Sequence, residues 1–240
     1  MPAKEPLFNK TTDFDRRPYR NITSLRESED LFDDLTDGDD EASAIGAEAE
    51  MRVKEKLVPR SPAIIHRGFQ YSKSIIEYPF EKEPYLSTRF GDGTYGVWYA
   101  SAELRTTVYE TVFHMIKAEL AVEGLDEIII RERAVYRVRC RAILIDLREK
   151  EKSFPKLVAD DYSFTQRIGR RINKEGHPGL LAPSARCDGI NVAIFNPEVL
   201  SDPQLHCYFT YFFDPVSLNV KVERTIGRTW LNVDGRERYG

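Results

Sequence analysis

Residues able to do chemistry are plentiful in this chain, but most standard arrangements of them are missing. The four histidines (His66, His114, His177, His206) have no metal-ligand spacing. Cys140, Cys187 and Cys207 form no C-x-x-C pair and no disulfide framework. His206 and Cys207 are neighbours on a predicted strand, so they point to opposite faces and cannot pair as base and nucleophile. There is no G-x-x-x-x-G-K-[ST] phosphate loop and no G-x-S-x-G elbow. Gly91, Gly93 and Gly96, within STRFGDGTYGVWYAS, do spell the dinucleotide fingerprint G-x-G-x-x-G. That fingerprint must follow a strand and open a helix whose N-terminus holds a pyrophosphate. Here Gly96 runs into VWYA, which is β-branched and aromatic and continues a strand. The glycines are therefore read as a hairpin turn. A kinase glycine loop is also a hairpin, but neither H-R-D nor D-F-G follows it.

What remains is a set of polar residues at the ends of predicted elements, which the surrounding sequence must position. AIIHRGFQY (63–71) reads as a first strand carrying Arg67, and EYPFEKEP (77–84) as a loop broken by two prolines. YLSTRF and VWYAS read as strands joined by the glycine turn, with Arg89 and Tyr99 flanking it. Ser101 is placed as the N-cap of a helix from Ala102 to about Leu120, with Leu104, Val108, Val112 and Met115 as its apolar stripe. Glu110 lies off that stripe, about 240° round from Leu104. A long strand region, EIIIRERAVYRVRCRAILIDL, alternates between 136 and 142 and sets Arg137, Arg139 and Arg141 on one face. That row suits a solvated edge, a partner surface or a grip on phosphate. A helix over 163–175 turns Phe164, Ile168 and Ile172 inward. Ser184 follows in the loop LLAPSARCDG, Asn191 begins the strand INVAIF, and the C-terminal part reads as strands around an Asp214–Pro215 turn. Read singly, each polar residue has a plain structural explanation: a solvated glutamate, turn chemistry for the serine, a salt bridge for Arg89, core packing for Tyr99. Mixed strands and helices without regular βαβ alternation give an α+β class.

In combination, the order Arg67 … Arg89-F-G-x-G … W-Tyr99-A-S … Glu110 … Ser184 … Asn191 resembles the RES-domain family, over roughly residues 60–215. The blocks RFGDGTYGVWYASAELRTTVYE and GHPGLLAPSARCDGINVAIFNP carry the resemblance. It implies a fold similar to ADP-ribosyltransferase toxins, a split and mostly antiparallel sheet with flanking helices around an NAD cleft. It also implies an NAD-consuming toxin neutralised by a cognate helix-turn-helix antitoxin of Xre type. NAD would be the substrate, cleaved at the nicotinamide–ribose bond by hydrolysis or by phosphorolysis with inorganic phosphate, and no metal would be needed. Transfer of ADP-ribose to a protein is the alternative activity, and a non-enzymatic binding module the second alternative. In this reading Glu110 stabilises positive charge developing on the ribose, as in glycoside cleavage. Arg67 and Arg89 hold phosphates through charge-assisted bonds. Tyr99 offers a face to nicotinamide. Ser184 orients the substrate, and Asn191 adds a supporting polar contact.

The length of 240 residues fits one large domain, or one domain plus an appendage. Apolar residues make up 41% of the 240, enough for a sizeable core. Residues 27–50 hold eleven acids and no Lys or Arg, so a net charge of −4 leaves +7 on the remainder. Residues 1–58 are accordingly read as an acidic extension, helical from about Asp40 to Lys56, and residues 59–240 as the catalytic domain. A mildly basic body suits an anionic small ligand or acidic partner. It lacks the concentrated basic stripe of a nucleic-acid binder. No apolar run would span a bilayer, and no signal-peptide core is seen, so a cytoplasmic protein is expected. A homodimer or larger toxin–antitoxin assembly is the expected state.

Overall fold

The computed structural model describes residues 6–24, 69–81, 85–122, 124 and 126–236. Its strands are β1 (Thr11–Arg16), β2 (Tyr19–Thr23), β3 (Trp98–Ser101), β4 (Ile129–Asp146), β5 (Gly179–Pro183), β6 (Ile190–Ile194), β7 (Leu200–Asp214), β8 (Asn219–Thr225) and β9 (Arg228–Asp234). The helices are α1 (Phe69–Glu81), α2 (Leu104–Glu119) and α3 (Ser163–Lys174). The α+β class expected from sequence holds, with a mostly antiparallel sheet in which β4–β5 is the parallel pair.

The long β4 organises the molecule. It pairs with β7 over most of its length, with β1 and β2 on its other edge, and with β5 at Ile145 and Asp146. Because β2 also pairs with β3, the pairings β4–β5–β6–β3–β2 return to β4 and close a ring. One side of the ring strands carries Trp98, Ala100, Val138, Leu181, Val192 and Ile194, packed with Ile75 of α1. The other side carries Leu180, Ala182 and Ala193, which meet Ile168 and Ile172 of α3. Alternation along the strands sends Tyr99, Ser101 and Asn191 to this second side. The stripe of α2 buries Val108, Val112 and Ile116 against Val135, Phe209, Tyr211 and Phe213, with Leu104 and Met115 partly buried. Each such aliphatic side chain contributes about 1.5–3 kcal/mol by leaving water.

Several expectations need correcting. Residues 11–23, assigned to an appended extension, are two strands of the sheet. Their local pattern hid this, since Phe14 is the one buried side chain of β1 and its partner β4 lies more than a hundred residues away. Residues 1–5 and 25–58 of that stretch, with the proposed helix 40–56, lie outside the described residues. So do residues 63–68 of the proposed first strand, including Arg67, while Phe69–Tyr71 open a helix instead.

The proposed loop at 77–84 is also helical up to Glu81, with Pro79 inside α1. A helical proline removes the N–H that would bond the carbonyl four residues back. Here that carbonyl belongs to Ile75, and the Trp98 indole N–H donates to it at 3.0 Å. The helix therefore continues with its freed acceptor satisfied.

Residues 85–90 are not a strand either. They form an irregular segment closed by a tight turn, with Thr88 N–H donating to Gly91 O at 2.7 Å and a single bridge between Ser87 and Asp92. Of the three fingerprint glycines only Gly93 takes a positive φ, +89°. Ser101 ends β3, and Glu103 holds the N-cap position of α2 in its place, with no capping bond from its side chain. The row Arg137, Arg139 and Arg141 is exposed, as the alternation predicts, and Arg139 pairs with Asp15 of β1.

Candidate active site

Glu110 is the centre of a hydrogen-bonded cluster drawn from four elements. It lies mid-way along α2, half-buried. Its Oε1 accepts from Ser184 Oγ at 2.6 Å and from Asn191 Nδ2 at 2.5 Å. The amide of Asn191 is itself oriented, because its Oδ1 accepts from Ser101 Oγ at 2.8 Å across the β3–β6 pair. Among the described residues no donor reaches Glu110 Oε2. Two donors thus hold one carboxylate oxygen and aim the other.

The serine loop that supplies half of this grip is shaped locally. Ser184 N–H donates to Gly189 O at 2.8 Å, closing the segment SARCDG on itself. Ser184 Oγ accepts from Arg186 N–H at 3.0 Å while giving its own proton to Glu110. The loop presses on α2 at Gly189, where a Cβ would lie 2.1 Å from Thr106 Oγ1. Glu103 ties the same junction, accepting from Thr106 Oγ1 and from Ile190 N–H.

Arg89 and Tyr99 sit on the neighbouring turn. The Tyr99 hydroxyl accepts from Phe90 N–H at 2.8 Å and bonds Thr88 Oγ1 at 2.9 Å. Burial pushes the phenol pKa up, so it stays protonated, and the residue as a whole is half-buried. Tyr99 is therefore first an anchor for the turn that carries Arg89. Helix α3 braces the same turn: Gln166 Nε2 donates to Thr88 O, and a Cβ on Gly169 would lie 1.8 Å from Phe90 O. Arg89 Nη1 donates to the carbonyls of Leu157 and Ala159 at 3.1 and 2.7 Å, with its guanidinium 4.6 Å from the Tyr162 ring centroid. Burial lowers the Arg89 pKa, Tyr162, Glu110 and Asp160 pull it up, and Arg186 pushes it down.

Five of the six residues singled out from sequence thus fall into two groups that are coupled electrostatically. Glu110, Ser184 and Asn191 share one carboxylate. Arg89 feels that carboxylate electrostatically, and Tyr99 fixes the Arg89 turn. Arg67 lies outside the described residues. The sequence reading missed Arg186, Asp160 and His114. Arg186 lies two residues after Ser184, within the block that carried the resemblance. His114 lies one turn after Glu110. Burial lowers its pKa below the usual 6.5 against the pull of Glu110, so it is neutral at pH 7. No group of three or more His, Cys, Asp or Glu suited to a metal occurs among the described residues. None of the described helices is long and apolar enough to cross a membrane.

The RES domain model matches residues 62–214. No curated protein matches the chain. Among solved structures, the M. tuberculosis MbcT–MbcA toxin–antitoxin complex is similar in fold, at 12% identity over 86% of this chain and 88% of that chain, with a TM-score of 0.44.

Proposed function

The chain belongs to the RES-domain family, and from that premise we propose that it cleaves the nicotinamide–ribose bond of NAD, by hydrolysis or phosphorolysis, as the toxin of a toxin–antitoxin pair. The observation that carries the reading is the Glu110 carboxylate, clamped on one oxygen by Ser184 and Asn191. When the C1′–N bond of NAD breaks, the electron pair leaves with nicotinamide, which needs no proton. The ribose is left with cationic character. A fixed carboxylate beside C1′ stabilises that charge without having to reorganise, the largest kind of contribution a site of this type makes. Water then adds to that carbon, which is C1″ of the ADP-ribose product, and releases a proton to solvent, or a phosphate oxygen adds there and yields ADP-ribose-1″-phosphate.

In this reading Ser184 is a positioning residue rather than a nucleophile. Its proton is directed at Glu110, and its lone pair is occupied by Arg186 N–H. Arg89 supplies positive charge for the pyrophosphate or for the attacking phosphate, and Tyr99 is proposed to face the nicotinamide. Arg67 is proposed as a second phosphate ligand. An ADP-ribosyltransferase-like arrangement of the sheet around the cleft, and an Xre-type antitoxin that covers it, belong to the same proposal.

The test is direct. Purified protein incubated with NAD should release nicotinamide. Dependence on added inorganic phosphate, with ADP-ribose-1″-phosphate as product, identifies phosphorolysis; release without phosphate identifies hydrolysis. Glu110→Gln keeps the size of the side chain and removes its charge, and should slow release at least about a hundredfold. Undiminished NAD with the wild-type protein under both conditions overturns the proposal.

A further inference from the structure

Arg186 is a charged side chain placed where a charge is costly. Its side chain is 7% exposed, and its guanidinium carbon lies 3.2 Å from the centroid of the Phe113 ring. Phe113 is one turn along α2 from Glu110, and the Arg186 backbone is pinned to Ser184 Oγ. The arginine is therefore built into the wall of the Glu110 site. A buried guanidinium needs an anion. Here the anion is Asp160, whose Oδ1 lies 2.5 Å from Arg186 Nη2.

Asp160 is not built in. Its side chain is 71% exposed, and it follows the short 3-10 turn Pro155–Leu157 on an irregular segment. The same segment supplies the Leu157 and Ala159 carbonyls that hold Arg89, and Tyr162 beneath its guanidinium. Two arginines of one site are thus served by a single strap of residues 157–162. Arg186 first, then Arg89 and Lys117, hold the Asp160 carboxyl below its usual pKa, so three cations act on one solvent-facing carboxylate. An exposed partner makes a weak ion pair. A phosphoryl group offers more charge and more acceptor oxygens to a planar guanidinium than a single carboxylate does.

We propose that Arg186, with Arg89 beside it, forms a phosphate-binding subsite of the Glu110 cleft, and that the Asp160 carboxylate occupies its anion position until a phosphoryl group displaces it. The location of the subsite beside the reacting centre rests on the function proposed above; its affinity for phosphate does not. The ligand is a phosphoryl group, which the pyrophosphate of a dinucleotide or free inorganic phosphate could each supply.

Calorimetric titration of the full chain with inorganic phosphate and, separately, with ADP-ribose tests this. Asp160→Asn should bind at least one probe roughly fivefold more tightly than wild type, because a competing anion is gone. Arg186→Gln should bind that probe at least tenfold more weakly. In the double variant the gain from Asp160→Asn should vanish, since it acts through Arg186. A gain confined to inorganic phosphate assigns the subsite to an attacking phosphate; a gain with ADP-ribose assigns it to the pyrophosphate. Asp160→Asn is a surface substitution and keeps the test valid if Arg186→Gln unfolds. Unchanged or weaker binding of both probes by Asp160→Asn overturns the subsite, as does a gain that persists without Arg186. Tighter phosphate binding in a protein that leaves NAD intact would instead sink the proposed activity and leave the subsite standing.

Discussion

At the scale of single residues the site is a carboxylate whose direction is set by two neutral donors. Hydrogen bonds to a charged acceptor are worth about 1.5–3 kcal/mol each. Replacing Ser184 or Asn191 by Ala should therefore cost roughly tenfold or more in turnover, with little change in KM, because neither change removes the charge itself. Removing both donors should approach the loss seen with Glu110→Gln, since the three groups act as one unit. Asn191→Asp should be worse than Asn191→Ala. It sets a second carboxylate where an amide now lies 2.5 Å from Glu110 Oε1, and two such groups share a proton that quenches the useful charge. Steady-state kinetics of nicotinamide release across the five variants checks this order. Equal rates for Asn191→Asp and Asn191→Ala would show that the clamp does not matter. Sequence identified all three members of this cluster because they lie in two blocks with a familiar order, although Glu110 itself sits in the middle of a helix. It did not identify Asp160, which stands in an irregular stretch with no periodicity to mark it.

At the scale of elements, the site depends on how closely the serine loop packs on α2. Gly189 has no space for a methyl group, since Thr106 Oγ1 would lie 2.1 Å from it and Thr106 is buried. Gly189→Ala should push the loop away from the helix, lower stability by about 1–3 kcal/mol, and reduce nicotinamide release as far as Ser184→Ala does. Denaturant unfolding together with turnover checks both parts. Full activity in a destabilised Gly189→Ala protein would separate loop placement from catalysis. The helices α2 and α3 and the strands β4, β6 and β7 were legible because their apolar spacing is strong and local. Others were not: β5 falls in what reads as the serine loop, although Gly179–Pro183 pairs with β4 and β6. The helix α1 contains Pro79, and what permits it is the Trp98 indole, a contact that nothing in residues 77–84 announces. The segment 85–90 has the composition of a strand, yet Thr88, Gly91 and the Tyr99 hydroxyl bind its backbone into a turn.

At the scale of the whole molecule, the least legible feature was that the N-terminal strands belong to the sheet. What joins them to it is partly electrostatic. Asp146, at the end of β4, is fully buried and accepts from Arg148 Nε and Nη2 at 2.8 and 2.7 Å. Lys10, just before β1, brings its ammonium within 3.0 Å of the same carboxylate, and its carbonyl accepts from Asp146 N–H. Burial alone would raise the Asp146 pKa, but the bonds from Arg148 and Lys10 outweigh it and bring the value from 3.8 down to about 2. A carboxyl that releases its proton more readily when folded stabilises the fold at any pH above its unfolded value. That contribution is therefore complete above about pH 4, and falls away as the pH drops from there to about 2. Its size at neutral pH is about 2 kcal/mol. Asp146→Asn should lower unfolding free energy at pH 7 by at least that much, because it also strands the Arg148 guanidinium. The gap between wild type and variant should then narrow steadily as the pH is brought from 4 to 2. Urea unfolding of both proteins at pH 7, 4 and 3 measures it. A gap that stays constant over that range would mean that Asp146 holds the N-terminal strands by packing and not by charge.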